Sequence, residues 1–274
     1  YHALNSKMYM RIAPELYLKR LLVGGFNKIF ELNRNFRNEG MSRKHNPEFT
    51  MIEIYQAYGD CKTMMILVED LISSLAENIN GSKILQKKDG TTIDLTTPWK
   101  RVEYDELIKV YAGEDWFSLD KNAKIAKAKS FGIPISEAMT DGEITHEVYE
   151  KCVEPQLIQP TFVTKLPIEL VPLAKHCKDD PSKVDVFELE INGQEISPGY
   201  SELNDPIEQK ERFLKQHGEN QDAGKMDEDF LCALEHGMPP AGGMGIGIDR
   251  LVMLITGAES IRDVILFPQL RPKS

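Results

Sequence analysis

The sequence predicts an α+β fold, in which an antiparallel sheet is flanked by helices. Two alternating segments, 28–37 and 48–58, are separated by a polar loop, as in a long hairpin. A second hairpin is predicted over 183–196, because Asn192-Gly193 is a pair that favours a type I′ turn. Helical periodicity appears between these strand patterns, which favours a mixed architecture with helices inserted between hairpins.

Each element has a local signal of its own. Residues 14–25 predict a helix that starts near Pro14 and stops at Gly24-Gly25. The strand that follows places Phe30, Leu32 and Phe36 on one face. The segment "TMMILVEDLISSLAENI" has helical periodicity, and "KDGTTIDL" is typical of a short hairpin.

The second half of the chain continues the pattern. Residues 101–160 are helical and highly charged, and we expect the lysine-rich stretch "KNAKIAKAKSFG" to be a solvated helix face. A strand is predicted over 160–167, and "GGMGIGIDRLVMLITG" changes from alternating glycines to a helix opened by Asp249. We interpret 1–274 as one catalytic-type domain with a mainly helical, charged insertion at about 101–158.

Composition excludes several classes of function. The 274 residues carry a net charge of −10, which argues against general affinity for nucleic acid. No apolar run reaches the roughly 18–20 residues that a membrane span needs, so no membrane association is predicted. The four cysteines are far apart and form no C-x-x-C pair, which argues against a zinc site or disulfide framework and fits the reducing cytoplasm.

The opening hairpin carries the first candidate site. Phe49, Met51, Glu53 and Tyr55 share one face of the second strand, because side chains alternate with period two. An aromatic ring, a carboxylate and a phenol on one face suit a site that stacks a flat ring and binds an amine. A solvated hairpin with chance charges is the alternative that the spacing leaves open.

Basic residues lie at the end of the first strand and in the loop of the same hairpin. Arg37 ends the strand, while Arg43 and His45 belong to the loop. These side chains are suited to holding phosphates, and a planar guanidinium is particularly so.

The second hairpin is unusually acidic. In a two-residue turn Glu190 faces Glu195 and Glu188 faces Ser197, so like charges meet unless a cation lies between them. Oxygen ligands without His or Cys point to Mg²⁺; an exposed acidic edge is the alternative. Strict alternation places Glu202 on the face opposite Glu195, and we expect a kink or bulge at Ser197-Pro198-Gly199 to bring both into one cavity.

The last segment supplies a bare strand. Gly243, Gly245 and Gly247 occupy alternate positions, so a flat ligand can lie against the backbone, and Arg250 follows where it can meet an anion. The spacing matches neither a dinucleotide-binding glycine fingerprint nor a phosphate-binding P-loop.

Taken together these segments resemble a known family. The stretch "FRNEG…HNPEFTMIEIYQAY" is similar to motif 2 of the class II aminoacyl-tRNA synthetases, and "GMGIGIDRLVML" is similar to their motif 3. The segments "RIAPELYLKRLLVGGF" and "YSELNDP" resemble the class II lysyl-tRNA synthetases in particular. The resemblance covers essentially the whole chain and implies the class II catalytic fold, with an antiparallel sheet of six or seven strands flanked by helices.

The resemblance also implies an activity: lysine and ATP form lysyl-adenylate, and lysine then passes to the 3′ end of tRNA(Lys), in a cytoplasmic homodimer. It implies Arg37 and Arg250 as the catalytic residues and Mg²⁺ as the cofactor, bound by Glu188 and Glu195. The ATP contacts that it implies are Arg37, Glu39, Arg43, His45, Phe49, Gly247 and Arg250. The L-lysine contacts that it implies are Glu15, Arg37, Glu53, Tyr55, Tyr200 and Glu202.

Two residues depart from the family pattern: Pro198 stands where an Asn is usual, and Val171 where a Ser is common. Pro198 removes a polar contact to the amino acid. We expect the family's anticodon-binding domain and its motif 1, which builds much of the dimer interface, to lie upstream of residue 1.

Two alternatives remain. One is a paralogue that lysylates a protein, as the elongation factor P lysine transferase does; such paralogues tend to lose the motif 3 glycines, which are intact here. The other is a non-catalytic pseudoenzyme, whose usual signature is loss of Arg37, Arg250 or the Glu188/Glu195 pair, and this chain retains all four.

Overall fold

Helices and strands alternate along the chain largely as the local patterns predict. The computed structural model describes residues 1–219 and 226–270, with side chains omitted for 216–219. The strands are β1 (Lys28–Phe36), β2 (Glu48–Ala57), β3 (Ile84–Gln86), β4 (Thr92–Asp94), β5 (Lys100–Glu103), β6 (Thr161–Thr164), β7 (Val186–Glu190), β8 (Glu195–Ser201) and β9 (Ala241–Gly247). The helices are α1 (Glu15–Val23), α2 (Cys61–Asn80), α3 (Tyr104–Ala112), α4 (Lys121–Ser130), α5 (Asp141–Val148), α6 (Pro206–Glu219), α7 (Glu228–Glu235) and α8 (Ile248–Thr256).

Seven strands form the main sheet, in the order β1-β2-β9-β8-β7-β6-β5. Neighbours are antiparallel except for β5 and β6, which run parallel. The α+β prediction with a mainly antiparallel sheet is therefore confirmed. The parallel pair follows from the chain between these strands, because α3, α4 and α5 form the crossover that a parallel connection requires. Strands β3 and β4 form a separate two-stranded hairpin.

One face of the sheet is covered by α2 and α8. Ile246 of β9 and Phe187 of β7 are fully buried there against Val68 and Ile72 of α2. Because side chains alternate between the two faces, the residues singled out in the sequence analysis project from the opposite face of β2, β9 and β8. Helix packing on one face thus leaves the opposite face for a site.

Local caps explain where these helices begin and end. Asp60 and Thr63 form a reciprocal capping box at the start of α2, and Gly81 ends it with a positive φ of 69°. Helix α8 begins at Ile248, and Asp249 lies in its first turn, where the carboxylate accepts a hydrogen bond from the Thr50 backbone N–H at 2.7 Å. Asp249 therefore ties α8 to β2, and the predicted helix begins one residue before Asp249.

The predicted charged insertion builds a second core together with residues of β6 and β7. Trp116 and Tyr149 are completely buried there together with Tyr104 at the start of α3. Its first residues form β5 and not a helix, because they pair with β6. Lys124 of α4 is only 4% exposed and pairs with Asp141 at 2.6 Å, so the prediction of a solvated lysine face is wrong at this position.

The second hairpin has the predicted turn but a different register. Asn192 and Gly193 both have positive φ, 60° and 65°, as a type I′ turn requires. Glu190 pairs with Glu195, but Glu188 pairs with Pro198, so the prediction that Glu188 faces Ser197 is wrong. An extra residue, Ile196, forms a bulge opposite the Leu189–Glu190 step. A break in β8 is thus confirmed, one residue before the predicted position.

Strand β1 forms one edge of the sheet. Phe30 and Leu32 share a face, as predicted, and they are 70% and 56% exposed. Among the described residues, no helix combines the length and the apolar character that a bilayer crossing requires.

Candidate functional site

The candidate site lies on the sheet face opposite α2 and α8. Met51, Glu53 and Tyr55 of β2 stand directly across from Gly247, Gly245 and Gly243 of β9. Because these cross-strand partners have no side chain, the face of β9 stays open beside the β2 side chains. The glycine alternation and the polar face of β2 are therefore two halves of one surface.

At one end of this surface is a basic cleft with about 670 Å³ of empty space, part of it open to solvent. That space is within the usual range for small-molecule sites, roughly 300–1,000 Å³. The predicted residues that line it are Arg37, Glu39, His45, Phe49, Glu195, Gly247 and Arg250. We call it the basic cleft.

Arg250 and His45 form a fixed pair in the basic cleft. The Arg250 Nη1 donates to the Glu195 carbonyl oxygen at 2.7 Å, and Nη2 lies 2.9 Å from His45 Nε2. Because a guanidinium only donates, His45 Nε2 accepts, and the proton on Nδ1 is donated to the Ser42 hydroxyl at 2.9 Å. Burial and the neighbouring Arg250 lower the pKa of His45 below 6.5, which keeps the ring neutral.

Phe49 is presented for stacking. Its ring lies under the Arg37 guanidinium, 5.1 Å from centroid to Cζ. Arg37 follows directly after β1, and its Nε donates to the Ile12 carbonyl oxygen at 3.2 Å. Arg37 lines the basic cleft and is also close enough to Glu53 to lower the pKa of that carboxyl, so it lies between the cleft and the next group of residues.

Beyond Arg37 is a carboxylate cluster, which consists of Glu15, Glu53 and Glu202. Tyr55 donates to Glu53 Oε2 at 2.8 Å, and Tyr200 donates to Glu15. Glu53 and Glu202 are 4% and 1% exposed. Helix α1 and strands β2 and β8 thus bring together five residues predicted to lie in one pocket.

Burial disfavours the ionised form of Glu53 and Glu202 and so raises their pKa values. It raises the pKa of Glu53 to about 7, with repulsion from Glu15 as the next cause. It raises the pKa of Glu202 to about 8, although Lys19 opposes the change. The cluster therefore accommodates negative charge only when cations are close.

One cation is built in, and the sequence analysis missed it. Lys19 is fully buried, with its Nζ 2.8 Å from Glu15 Oε1 and 2.5 Å from Glu202 Oε2. Burial lowers the pKa of Lys19, but attraction to Glu15 and Glu202 outweighs it and leaves the pKa raised. The four-residue spacing of Glu15 and Lys19 on one helix is the signal that could have indicated the pair.

The acidic hairpin lies beside the basic cleft. Glu188 and Glu190 of β7 project from the same face of the sheet as Glu195 of β8. Burial, with Glu195 as the next cause, raises the pKa of both Glu188 and Glu190 well above the usual range. Glu190 Oε2 is buried and has no hydrogen-bond partner among the described residues, while the Tyr149 hydroxyl donates to Oε1 at 3.2 Å.

These carboxylates fit a Mg²⁺ ion better than any softer metal, because their donors are all oxygens. Within 1–219 and 226–270, no three His, Cys, Asp or Glu side chains are assembled into a complete metal site. Two carboxylates that leave further positions to water and phosphate oxygens agree with how Mg²⁺ is usually held.

In the loop after β1, Lys44 lines the basic cleft although its neighbours Arg43 and His45, and not Lys44, were predicted to do so. Arg43 lies on a neighbouring cavity with Lys87, outside the basic cleft. Lys44 lines the basic cleft as well as that cavity, and its Nζ donates to the Gly193 carbonyl oxygen at 2.5 Å. Pro198 also lines the basic cleft, so the departure from the family pattern falls within the site.

Comparison with known proteins assigns the chain to a family. Residues 1–271 match the family described as tRNA synthetases class II (D, K and N). The chain is 55% identical to the lysine–tRNA ligase of Carboxydothermus hydrogenoformans, covering all of this chain and 57% of that protein. It is 56% identical to the lysine–tRNA ligase of Syntrophomonas wolfei and 52% identical to that of Trichormus variabilis, covering 56% and 50% of those proteins. The chain therefore spans about half the length of these relatives, and with motifs, sheet and site in agreement it belongs to the class II tRNA synthetases of the D, K and N group.

Proposed function

We propose that this chain is the catalytic domain of a lysine–tRNA ligase, which forms lysyl-adenylate from L-lysine and ATP and transfers lysine to tRNA(Lys). One observation carries the proposal: a buried carboxylate cluster adjoins a basic cleft on the same sheet face, with Arg37 between them. L-Lysine matches that order of charges, because its two ammonium groups can face the carboxylate cluster while its carboxylate faces Arg37. The lysine–tRNA ligases at 50–56% identity support the same reaction.

The amino acid lies across the boundary between the two regions. Its carboxylate pairs with Arg37, and its α-ammonium is bound by Glu15 and Glu53. Its ε-ammonium reaches Glu202, with Tyr55 and Tyr200 enclosing the side chain. A buried carboxylate at this end favours a cationic side chain and repels an acidic one.

ATP occupies the basic cleft. Adenine stacks on Phe49 with Arg250 on its other side, and Glu39 lies near the amino group of the base. His45 contacts the phosphate tail together with Lys44 from the cleft wall. Arg43 is the least supported of the predicted ATP contacts, because it lies on the neighbouring cavity. Gly247 lets the nucleotide approach the β9 backbone.

Glu188 and Glu195 are the residues that would hold Mg²⁺, which would neutralise phosphate charge when bound. The protein supplies no nucleophile: a lysine carboxylate oxygen attacks the α-phosphorus, the bond to the bridging oxygen breaks, and pyrophosphate leaves. Arg37 aligns the attacking carboxylate with the α-phosphate, and Arg250 offsets charge on the tail. Positioning and electrostatic stabilisation are sufficient for this step.

Further parts of the proposal concern the whole protein. A homodimer is supported by the exposed apolar face of Phe30 and Leu32 on the edge strand β1, which is an unusual surface for a monomer. We place the enzyme in the cytoplasm with its tRNA, and the four free cysteines agree with a reducing compartment.

Lysine-dependent ATP–pyrophosphate exchange by the full-length protein tests the proposal. We expect exchange with lysine and little with arginine, aspartate or asparagine. Exchange with another amino acid and none with lysine would overturn the substrate assignment.

The acceptor is tested separately. Radiolabelled lysine should become attached to tRNA(Lys) in a bond that mild alkali hydrolyses, as an aminoacyl ester does. Label that instead remains on elongation factor P after alkali would establish the protein-lysylating alternative. Absence of exchange with every amino acid, by a folded protein that still binds ATP, would favour the pseudoenzyme.

A further inference from the structure

Within the carboxylate cluster, Lys19 is a charged side chain to which the proposed reaction gives no role. It extends from α1 into the carboxylate cluster, where none of its surface is exposed. Its Nζ lies between Glu15 and Glu202 and 5.5 Å from the centroid of the Tyr200 ring. Contacts with Glu15 and Glu202 offset the cost of burying this ammonium.

Lys19 uses only one side of Glu202. Both oxygens are buried and neither has a hydrogen bond of regular geometry among the described residues, but Oε2 lies 2.5 Å from the Lys19 Nζ, whereas no cation lies against Oε1 there. Oε1 faces Gly243, because a Cβ built on that glycine would overlap it and come within 2.5 Å of the Tyr55 ring. Glu202 therefore holds a fixed internal cation on one oxygen and keeps the other free for a ligand.

A charge count follows from this arrangement. Glu15, Glu53 and Glu202 contribute three negative charges when ionised, and Lys19 contributes one positive charge. Two negative charges remain, which is the number of ammonium groups on lysine. The ligand carboxylate has its own partner in Arg37, outside this count.

Resting on the lysine-activating function proposed above, we infer that Lys19 is a specificity-determining counter-ion, which balances one of three buried carboxylates so that the pocket is neutral only around a dicationic amino acid. It acts through Glu202 and Glu15 and is a positioning residue. The other titratable groups near it are Glu53 from β2, whose pKa it lowers, and Tyr200 from β8.

Replacing Lys19 by methionine removes the charge and keeps most of the volume. One carboxylate then stays protonated when lysine binds, and a neutral Glu202 no longer distinguishes an ammonium from a methyl group. In Lys19→Met we expect the ratio of kcat/KM for lysine to that for norleucine to fall at least tenfold. The KM for lysine should rise, while kcat and the KM for ATP stay within threefold of wild type.

Two controls separate charge from structure. Arg20→Met alters the next residue of α1, whose guanidinium pairs with Asp227 and Asp229 outside the pocket, and should leave the ratio unchanged. Glu15→Gln combined with Lys19→Met removes one charge of each sign and restores the balance of two negative charges. Its ratio should recover toward wild type even if activity with both amino acids is low.

The experiment uses the full-length protein, with thermal unfolding measured for every variant. An unchanged ratio in Lys19→Met, or the same fall in Arg20→Met, would overturn the inference. If Lys19→Met does not fold, the double variant decides: a ratio near wild type agrees with charge balance, and a low ratio contradicts it. A wild-type protein that does not activate lysine would instead refute the proposed function, so the two failures are distinguishable.

Discussion

Raising the pH from 7 to 8.5 should tighten lysine binding about fifteenfold, because the empty carboxylate cluster holds protons that lysine must displace. Glu53 and Glu202 have pKa values raised to about 7 and about 8. Both must be ionised to bind ammonium groups, so the affinity falls as the pH drops through these values. The dissociation constant exceeds its high-pH limit by about 22-fold at pH 7 and about 1.4-fold at pH 8.5, if the two groups titrate independently.

The same numbers predict a proton release. At pH 7 Glu53 is about half protonated and Glu202 about nine-tenths, so binding should release about 1.4 protons. Isothermal titration calorimetry in two buffers of different ionisation enthalpy measures this directly. Glu53→Gln should lower the release to about 0.9 protons, because only Glu202 still titrates.

ATP binding provides the internal control. The pKa of His45 is lowered below 6.5, so this ring stays neutral over this range. The affinity for ATP, measured without Mg²⁺ so that the raised pKa of Glu188 does not enter, should therefore change much less than the affinity for lysine between pH 7 and 8.5. A lysine affinity independent of pH, with no proton release at pH 7, would refute the reasoning that the empty cluster is protonated.

Three further substitutions test single contacts of the site. Glu202→Gln removes the carboxylate proposed to bind the ε-ammonium of lysine; leaving a buried charge without its partner costs about 3–5 kcal/mol, so kcat/KM for lysine should fall about 150- to 5,000-fold while the KM for ATP is retained. Gly243→Ala should lower lysine activation and the melting temperature through about 1–3 kcal/mol of overpacking. Gly245→Ala is its control and should be milder, because its Cβ meets the flexible end of Met51 at 3.1 Å and Glu53 Cγ at an ordinary contact distance of 3.9 Å. Pro198→Asn returns a polar side chain to the basic cleft and should lower the KM for lysine about 2- to 12-fold, the worth of one net hydrogen bond; a higher KM would show that the proline is favourable here.

Local patterns were sufficient to predict most elements of the sheet. Alternation over 28–37 and 48–58 predicted β1 and β2, and Asn192-Gly193 fixed a turn whose two positive φ values no other common pair accepts as readily. The shared face of Phe49, Glu53 and Tyr55 follows from period two alone. These predictions succeeded because each depends on residues close together in sequence.

The parts that failed depend on distant residues. Lys19 lies one turn from Glu15 on α1, but its burial is decided by Glu202 directly after β8, which the helix pattern does not contain. Arg43 and Lys44 are adjacent in an irregular loop, where no periodicity fixes which of them turns toward the basic cleft. Family resemblance gave the candidate contacts, but the internal cation required three-dimensional placement.

The bulge at Ile196 shows how one backbone irregularity assembles the whole site. Glu195 and Glu202 are seven positions apart, an odd number, so a regular strand would turn them to opposite faces. One extra residue restores the parity, and Glu195, Pro198, Tyr200 and Glu202 then share the face of Glu53. Without it, Glu195 of the basic cleft and Glu202 of the carboxylate cluster would project from opposite faces of the sheet. The spacing of the acidic residues therefore encodes the need for a bulge, while its position depends on the pairing of Leu189 with Ser197 across the hairpin.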